Sequence, residues 1–341
     1  MLSSAVTPVM VTDLNGTTAD ASPGRFFAGS NTLLFAANDG VSGFELWKTD
    51  GTAPGTQLVK DIRPGAGPSS AASSSSTPMT WGGLDGGVTI FVADDGVHGL
   101  ELWRTDGTEA GTQLVKDINP GSASSQRGVN FAGGPQQFDF AAVVNGIAYF
   151  EATDGVNGLE VWRTDGTEAG TYMVKNANPF STPSLASLTA FDGALYFTLN
   201  TTYGTELWKS DGTDAGTFML KDIYIAGNAD VKSLVVSGGT LFFTANDGTS
   251  GVELWTTDGT AEGTVPVEDI NAAGGSSPTT LTDVAGTASS AARLRQCGWE
   301  ITFTSPPATC RRSSGAATGP PPAPRSCASS CTRRRCRRTG A

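Results

Sequence analysis

Apolar and polar residues alternate along residues 24–271 in short runs, and each run is cut off by Gly, Asp, Asn or Pro. Alternation of that length marks half-buried β-strands, and the breakers mark the turns between them. Residues 232–271 show the unit clearly. Ser233–Ser237 reads as strand a, and Gly238-Gly239 make a tight hairpin turn. Thr240–Ala245 reads as strand b, and Asn246-Asp247-Gly248 opens a loop. Val252–Thr257 reads as strand c, Asp258-Gly259-Thr260 turns, and Thr264–Ile270 is strand d. Long runs of Ala, Leu, Glu and Lys are absent, which excludes helical bundles and coiled coils.

The unit recurs. Trp47, Trp103, Trp162, Trp208 and Trp255 stand in one phrase, spaced by 56, 59, 46 and 47 residues. Its first copy is Glu45-Leu46-Trp47-Lys48-Thr49-Asp50-Gly51-Thr52, then Gly55-Thr56, then Val59-Lys60-Asp61-Ile62. The repeats span about 24–63, 77–118, 137–178, 184–223 and 232–271. A stray strand at 7–15 resembles the close of a further copy, and the start of another falls at 279–287. Four antiparallel strands in roughly 45–50 residues is the size of a propeller blade, and a lone blade cannot cover both of its faces. Residues 1–284 therefore read as an all-β repeat domain. The expected fold is a β-propeller-like array of about five four-stranded antiparallel blades, incomplete or open as a ring. A β-sandwich array or a solenoid is the alternative.

Register can be derived for the c–d hairpin. If Thr49 faces Thr56, then Trp47 faces Leu58 and Glu45 faces Lys60. The same rule pairs Glu101 with Lys116, Glu160 with Lys175 and Glu206 with Lys221. Each blade would then carry a Trp–aliphatic pair beside a Glu–Lys pair, each contributing roughly 0.2–1 kcal/mol. In the fifth copy Trp255 would face Pro266 and Glu253 would face Glu268. Proline cannot donate to a ladder and belongs on an edge strand.

The phrase resembles the bacterial tandem repeat named for its Glu-Leu-Trp-x-x-Asp-Gly-Thr signature. Five copies match, each with Asp-Gly-Thr intact. The resemblance implies a secreted or surface-associated protein and a many-bladed scaffold, and it lends no catalytic residue or cofactor.

Charge divides the chain. Residues 1–284 hold 12 Lys+Arg against 32 Asp+Glu, a net of −20, and no cysteine. Residues 285–341 hold ten Arg, one acid (Glu300) and all five cysteines. The acidic body argues against nucleic acid, whose phosphates require clustered cations. No apolar run approaches the ~20 residues that cross a bilayer. Residues 288–341, rich in Arg, Pro and Cys, look like a repeat read out of frame and otherwise like a disordered tail. From Arg312 to Ala323 a one-base shift with free codon choice can spell Glu-Leu-Trp-Arg-Ser-Asp-Gly-Thr-Ala-Ala-Gly-Thr. This reading requires that a single-base shift near residues 285–300 of the coding sequence restore the phrase. Cys297, Cys310, Cys327, Cys331 and Cys336 lack the paired spacing of a zinc site.

The b–c loops repeat Asp-Gly: Asp39, Asp95, Asp154 and Asp247 are the candidate calcium ligands, because carboxylates on a Gly-bent loop suit a hard cation. The rival reading is a side-chain-to-backbone turn, and the fourth copy, Asn200 to Gly204, has no acid. Asp50, Asp106, Asp165, Asp211 and Asp258 read as Asx-turns closing the c–d hairpins. His98 is the only histidine, and no nucleophile–base set surrounds it. The d-to-a connections at Pro64–Pro78, Pro120–Gln137 and Pro179–Pro183 vary most, and variable loops on a rigid frame are where binding resides. The sequence thus points to a non-enzymatic extracellular or cell-surface scaffold, a monomeric fragment that engages a protein or glycan and uses no cofactor. A calcium-stabilised adhesion module is the second reading, and a propeller lyase or glycosidase the third. No signal peptide is visible in residues 1–11.

Overall fold

The Leu-Trp pair at the centre of each strand c decides the architecture, because both of its side chains are buried and they point to opposite faces. The structure, a computed structural model, describes residues 10–16, 19–28, 32–64, 79–125, 142–177, 184–271, 274–278, 281–284, 289–293 and 300–302. The first sheet is β1 (Gly24–Ala28), β2 (Leu33–Asn38), β3 (Phe44–Thr49) and β4 (Gln57–Lys60). The second is β5 (Met79–Gly83), β6 (Thr89–Asp94), β7 (Leu100–Thr105) and β8 (Gln113–Lys116). The third is β9 (Ala142–Val144), β10 (Ile147–Thr153), β11 (Leu159–Thr164) and β12 (Tyr172–Lys175). The fourth is β13 (Ser184–Phe191), β14 (Ala194–Thr201), β15 (Gly204–Ser210) and β16 (Phe218–Lys221). The fifth is β17 (Lys232–Ser237), β18 (Thr240–Asn246), β19 (Val252–Thr257) and β20 (Val265–Pro266). Each is a four-stranded antiparallel meander with its strands in sequence order. The fold is all-β and propeller-like, and the sheets do not close. Among the described residues no helix is long and apolar enough to cross a membrane.

The sheets join through apolar clusters that repeat from one junction to the next. Leu46, Val59 and Ile62 of the first repeat pack against Phe91, Ala93 and Trp103 of the second. Leu102, Val115 and Ile118 meet Ala148, Phe150, Ala152 and Trp162. Val161 and Val174 meet Phe197 and Trp208, and Leu207, Leu220 and Ile223 meet Phe243 and Trp255. Each tryptophan therefore faces the preceding sheet and each neighbouring leucine or valine the following one.

The c–d register differs from the expectation at one point. Trp47 does face Leu58, but Lys60 stands opposite Leu46, because Val59 is an extra residue in strand d. The same β-bulge lies beside Trp103, Trp162 and Trp208. The expected pairs Glu45–Lys60, Glu101–Lys116, Glu160–Lys175 and Glu206–Lys221 are thus not formed. The bulge turns the extra valine into the junction, where Val59, Val115 and Val174 are buried. The lysines reach forward instead. Lys60, Lys116 and Lys221 donate through Nζ to the carbonyls of Thr112, Thr171 and Thr264 at 2.8, 2.9 and 2.6 Å. Lys175 donates to Asp214 O at 3.0 Å. The cation after the tryptophan makes a second tie: Lys48, Arg104 and Lys209 donate to the carbonyls of Gly107, Gly166 and Gly259. The fifth repeat carries Thr256 and Glu268 at these two places. Its strand d, expected over Thr264–Ile270, is reduced to Val265–Pro266, with Trp255 opposite Pro266. The expected Glu253–Glu268 pair is not part of that ladder.

Residues 10–15, expected as strand, form no ladder. Their physical counterpart explains why: Asp13-Leu14-Asn15 corresponds to Asp61-Ile62-Arg63, which lies beyond the end of β4. Leu14 packs with Phe35, Ala37 and Trp47 as Ile62 does with Phe91, Ala93 and Trp103. After the fifth sheet, β21 (Asp283–Val284), β22 (Ser289–Arg293) and β23 (Glu300–Thr302) form a three-stranded sheet. Two of its strands fall where the composition of 288–341 suggested none. The rest of that tail, its cysteines, residues 7–9 and most of the expected variable connections lie outside the described residues.

The indole nitrogens of Trp47, Trp103, Trp162 and Trp208 are buried without a hydrogen-bond partner, so these side chains act as apolar bodies. Trp162→Ala is expected to lower stability by about 3–5 kcal/mol, whereas Trp162→Phe should lower it much less because no bond is lost. Urea unfolding midpoints of the two variants check this, and equal losses would contradict it.

Candidate binding face

One edge of the array is built from the loops between strands b and c together with the chain leaving strand d. Its local order comes from aspartates that cap their own loops. Asp39 Oδ1 accepts the amides of Val41 and Ser42 at 2.8 and 2.7 Å, and its Oδ2 accepts the Ser42 hydroxyl at 3.3 Å. Asp95 Oδ1 accepts the amides of Val97 and His98, and Oδ2 lies 2.7 Å from His98 Nδ1. Asp154 takes Val156, Asn157 and the Asn157 amide group, and Asp247 takes Thr249 and Ser250. Burial opposes ionisation of Asp95, Asp154 and Asp247, yet their amide donors hold all three below the usual carboxylate range. The bond to Asp95 raises the pKa of His98. The candidate calcium ligands are thus turned back onto their own loops. Among the described residues no three His, Cys, Asp or Glu side chains are placed to hold a metal. In the fourth sheet the loop shrinks to a two-residue hairpin, with Thr201 paired to Gly204.

What these loops present outward is apolar. Val41, Val97 and Val156, at one position of three repeats, are 73%, 63% and 87% exposed, and Tyr203 at the fourth hairpin is 62% exposed. Beside them Asp61, Asp117 and Asp222 each keep one oxygen buried without a hydrogen-bond partner. Burial, then the nearby Asp39, raises the pKa of Asp61.

Beneath the face lies a feature the sequence reading missed. Glu45, Glu101, Glu160, Glu206 and Glu253 are buried, at most 1% exposed. Each accepts the backbone amide 17 residues further on: Ile62, Ile118, Ala177, Ile223 and Ile270. Glu101, Glu206 and Glu253 also accept amides 23 or 24 residues on, from Ser125, Ala229 and Ser276. The carboxylate therefore fastens the chain leaving strand d to strand c. The signal was present in sequence as an acid next to two residues that bury opposite faces, with a fixed distance to the following Ile.

The Asp-Gly-Thr loops lie on the opposite edge and are uniform. Asp50 Oδ1 accepts Thr52 N at 2.9 Å and its hydroxyl at 2.7 Å, and Gly55 N donates to Thr52 Oγ1. Asp106, Asp165, Asp211 and Asp258 repeat the bonds to the following threonine. A Cβ on Gly55 would stand 1.9 Å from the Asp50 carboxylate, so only glycine fits. The threonine hydroxyl, then its amide, lowers the pKa of Asp50, Asp106, Asp211 and Asp258.

No known protein family matches the chain, and no curated protein matches it. Among solved structures it is similar to a puromycin hydrolase mutant complexed with PGG, at 13% identity and a TM-score of 0.40, over 86% of this chain and 48% of that one. TolB from Acinetobacter baumannii is 13% identical with a TM-score of 0.36, over 69% and 51%. Oligopeptidase B from Leishmania major is 11% identical with a TM-score of 0.42, over 84% and 41%. The chain spans about half the length of these structures or less, and at such identity the likeness concerns the fold alone.

Burial raises the pKa of Glu101 and Glu206 to about 7, against the amide donors that favour the charged form. A folded pKa above the unfolded one makes the carboxyls' contribution complete below pH ~4.3 and lost as pH passes 7. The urea midpoint is therefore expected to fall between pH 5 and pH 8, less so in the double variant Glu101→Gln/Glu206→Gln. A midpoint that is flat or rising over that range would refute this.

Proposed function

We propose that the chain is a non-enzymatic extracellular or cell-surface scaffold that engages a protein or glycan through its b–c loop edge. One observation carries the reading. Val41, Val97 and Val156 stand exposed at the same loop position of successive sheets, followed by Tyr203 in the fourth. Exposed apolar groups repeated on a rigid frame suit contact with an extended partner. The repeated acids support the same reading from the other side, because an active site needs unlike groups converging, and here like groups serve their own loops. The resemblance to the Glu-Leu-Trp-x-x-Asp-Gly-Thr repeat supports the surface location.

Two measurements test it. Protease shaving of intact cells that express the chain should release its peptides, and purified protein should bind an immobilised glycan array or an intact-cell surface. Val41→Ser/Val97→Ser/Val156→Ser should reduce that binding at least about fivefold while leaving the melting temperature unchanged. Protection from the protease, or undiminished binding by the triple variant, would overturn the reading.

A further inference from the structure

The opposite edge of the array holds a site of different chemistry, at the junction of the fourth and fifth sheets. There the a–b turns of successive sheets meet in series. Asp85 Oδ2 lies 2.5 Å from where a Cβ on Gly146 would stand. One sheet on, Asn145 Nδ2 donates to Gly193 O at 3.3 Å. The next junction should bring Asp192 to Gly239, but nothing lies within 4 Å of the Cβ position of Gly239. Asp192 has only acceptor oxygens when ionised, so it cannot repeat the Asn145 bond to a carbonyl. A cavity of about 450 Å³ opens in the gap, lined by Ala190, Phe191, Asp192, Val236, Gly239 and Asp258.

The lining defines what fits. Phe191, held edge-on to Tyr196 at 5.4 Å, and Val236 supply an apolar wall. The polar side chains are two carboxylates, acceptors only. Asp258 Oδ1 takes the Thr260 amide and hydroxyl. The nearest cation, Lys209, is already tied to Gly259 O at 3.0 Å and lies over the Tyr196 ring. Asp283 receives the Ser237 hydroxyl beside Val236, and Lys232 pairs with Asp230. We propose that this cavity binds a lysine side chain of a partner protein. The ammonium would lie between Asp192 and Asp258 and the methylene stem along Phe191 and Val236. An ammonium supplies the donors that the lining lacks, and a stem of four methylenes matches the apolar wall. A sugar brings hydroxyls that need donors as well as acceptors, and the lining side chains give none.

Titration of the full chain with tetralysine in 0.15 M salt tests this, followed by NMR and calorimetry. Expected are saturable binding with shifts centred on Phe191 and Val236, and loss of at least about fivefold when the lysines are Nε-acetylated. Asp192→Asn should weaken binding by a similar factor, because it removes a charge and can close the gap as Asn145 does. Glu168→Gln, an exposed acid in another repeat, should bind tetralysine as the unaltered chain does. Should Asp192→Asn fail to fold, Val236→Lys plants an ammonium in the cavity and should block binding instead. Equal binding by the acetylated peptide, undiminished binding by Asp192→Asn or Val236→Lys, or binding of glucosamine in place of tetralysine overturns the proposal. None of these results bears on the valine-bearing edge, so the two sites stand or fall separately.

Discussion

The contact on which the molecule depends is a tryptophan lying against the aliphatic side chains of the sheet before it. No sheet here can shield both of its faces, and strand c carries large apolar groups on each of them. Stacking resolves this: Trp103 is covered by Leu46, Val59 and Ile62, and Trp162 by Leu102, Val115 and Ile118. Full burial of side chains this size contributes about 1.5–3 kcal/mol apiece. The indole nitrogens find no acceptor, which sets the contribution down to shape and apolar area rather than to a hydrogen bond.

The polar groups of the repeat follow from that packing. Extending strand d by one bulged residue places the valine in the junction and frees the following lysine from the ladder. The lysine then reaches the carbonyl of the next Asp-Gly-Thr loop, so a device of the strand becomes a link between sheets. The buried glutamate works in the other direction, holding the exit of strand d against strand c of its own repeat. Apolar contact, lysine and glutamate together fix how each unit sits on the next, and the loops at both edges inherit their positions from this.

Much of the fold could be read from the sequence, because its cues are local. Breakers mark the turns, alternation marks the strands, and five tryptophans mark the period, so strand c of the fifth repeat was located to the residue. The Thr49–Thr56 register also fixed Trp47 opposite Leu58. The neighbouring pair was misplaced because a bulge depends on what the next sheet needs to bury, and single-strand alternation carries no trace of that. Treating Glu45 as half-exposed followed from the same assumption of one wet face. The aspartates of the b–c loops were open to two readings, since a carboxylate beside glycines suits either an ion or its own amides. Only geometry separates the two. The gap beside Asp192 was hidden for a like reason: Asn145 and Asp192 read as equivalent turn formers until their neighbours' carbonyls are in view.

The substitution of Thr256 and Glu268 for two cations gives the order of the units a sense. The first four present positive groups toward the loop carbonyls of whatever follows, and the fifth presents a hydroxyl and an acid. Moved to an interior place by duplication or permutation, the fifth unit would leave a glycine and a threonine carbonyl without their donors and bring a carboxylate up to them. The units share a period but are not interchangeable parts, and recombination among them would conserve the strand pattern while losing the joints.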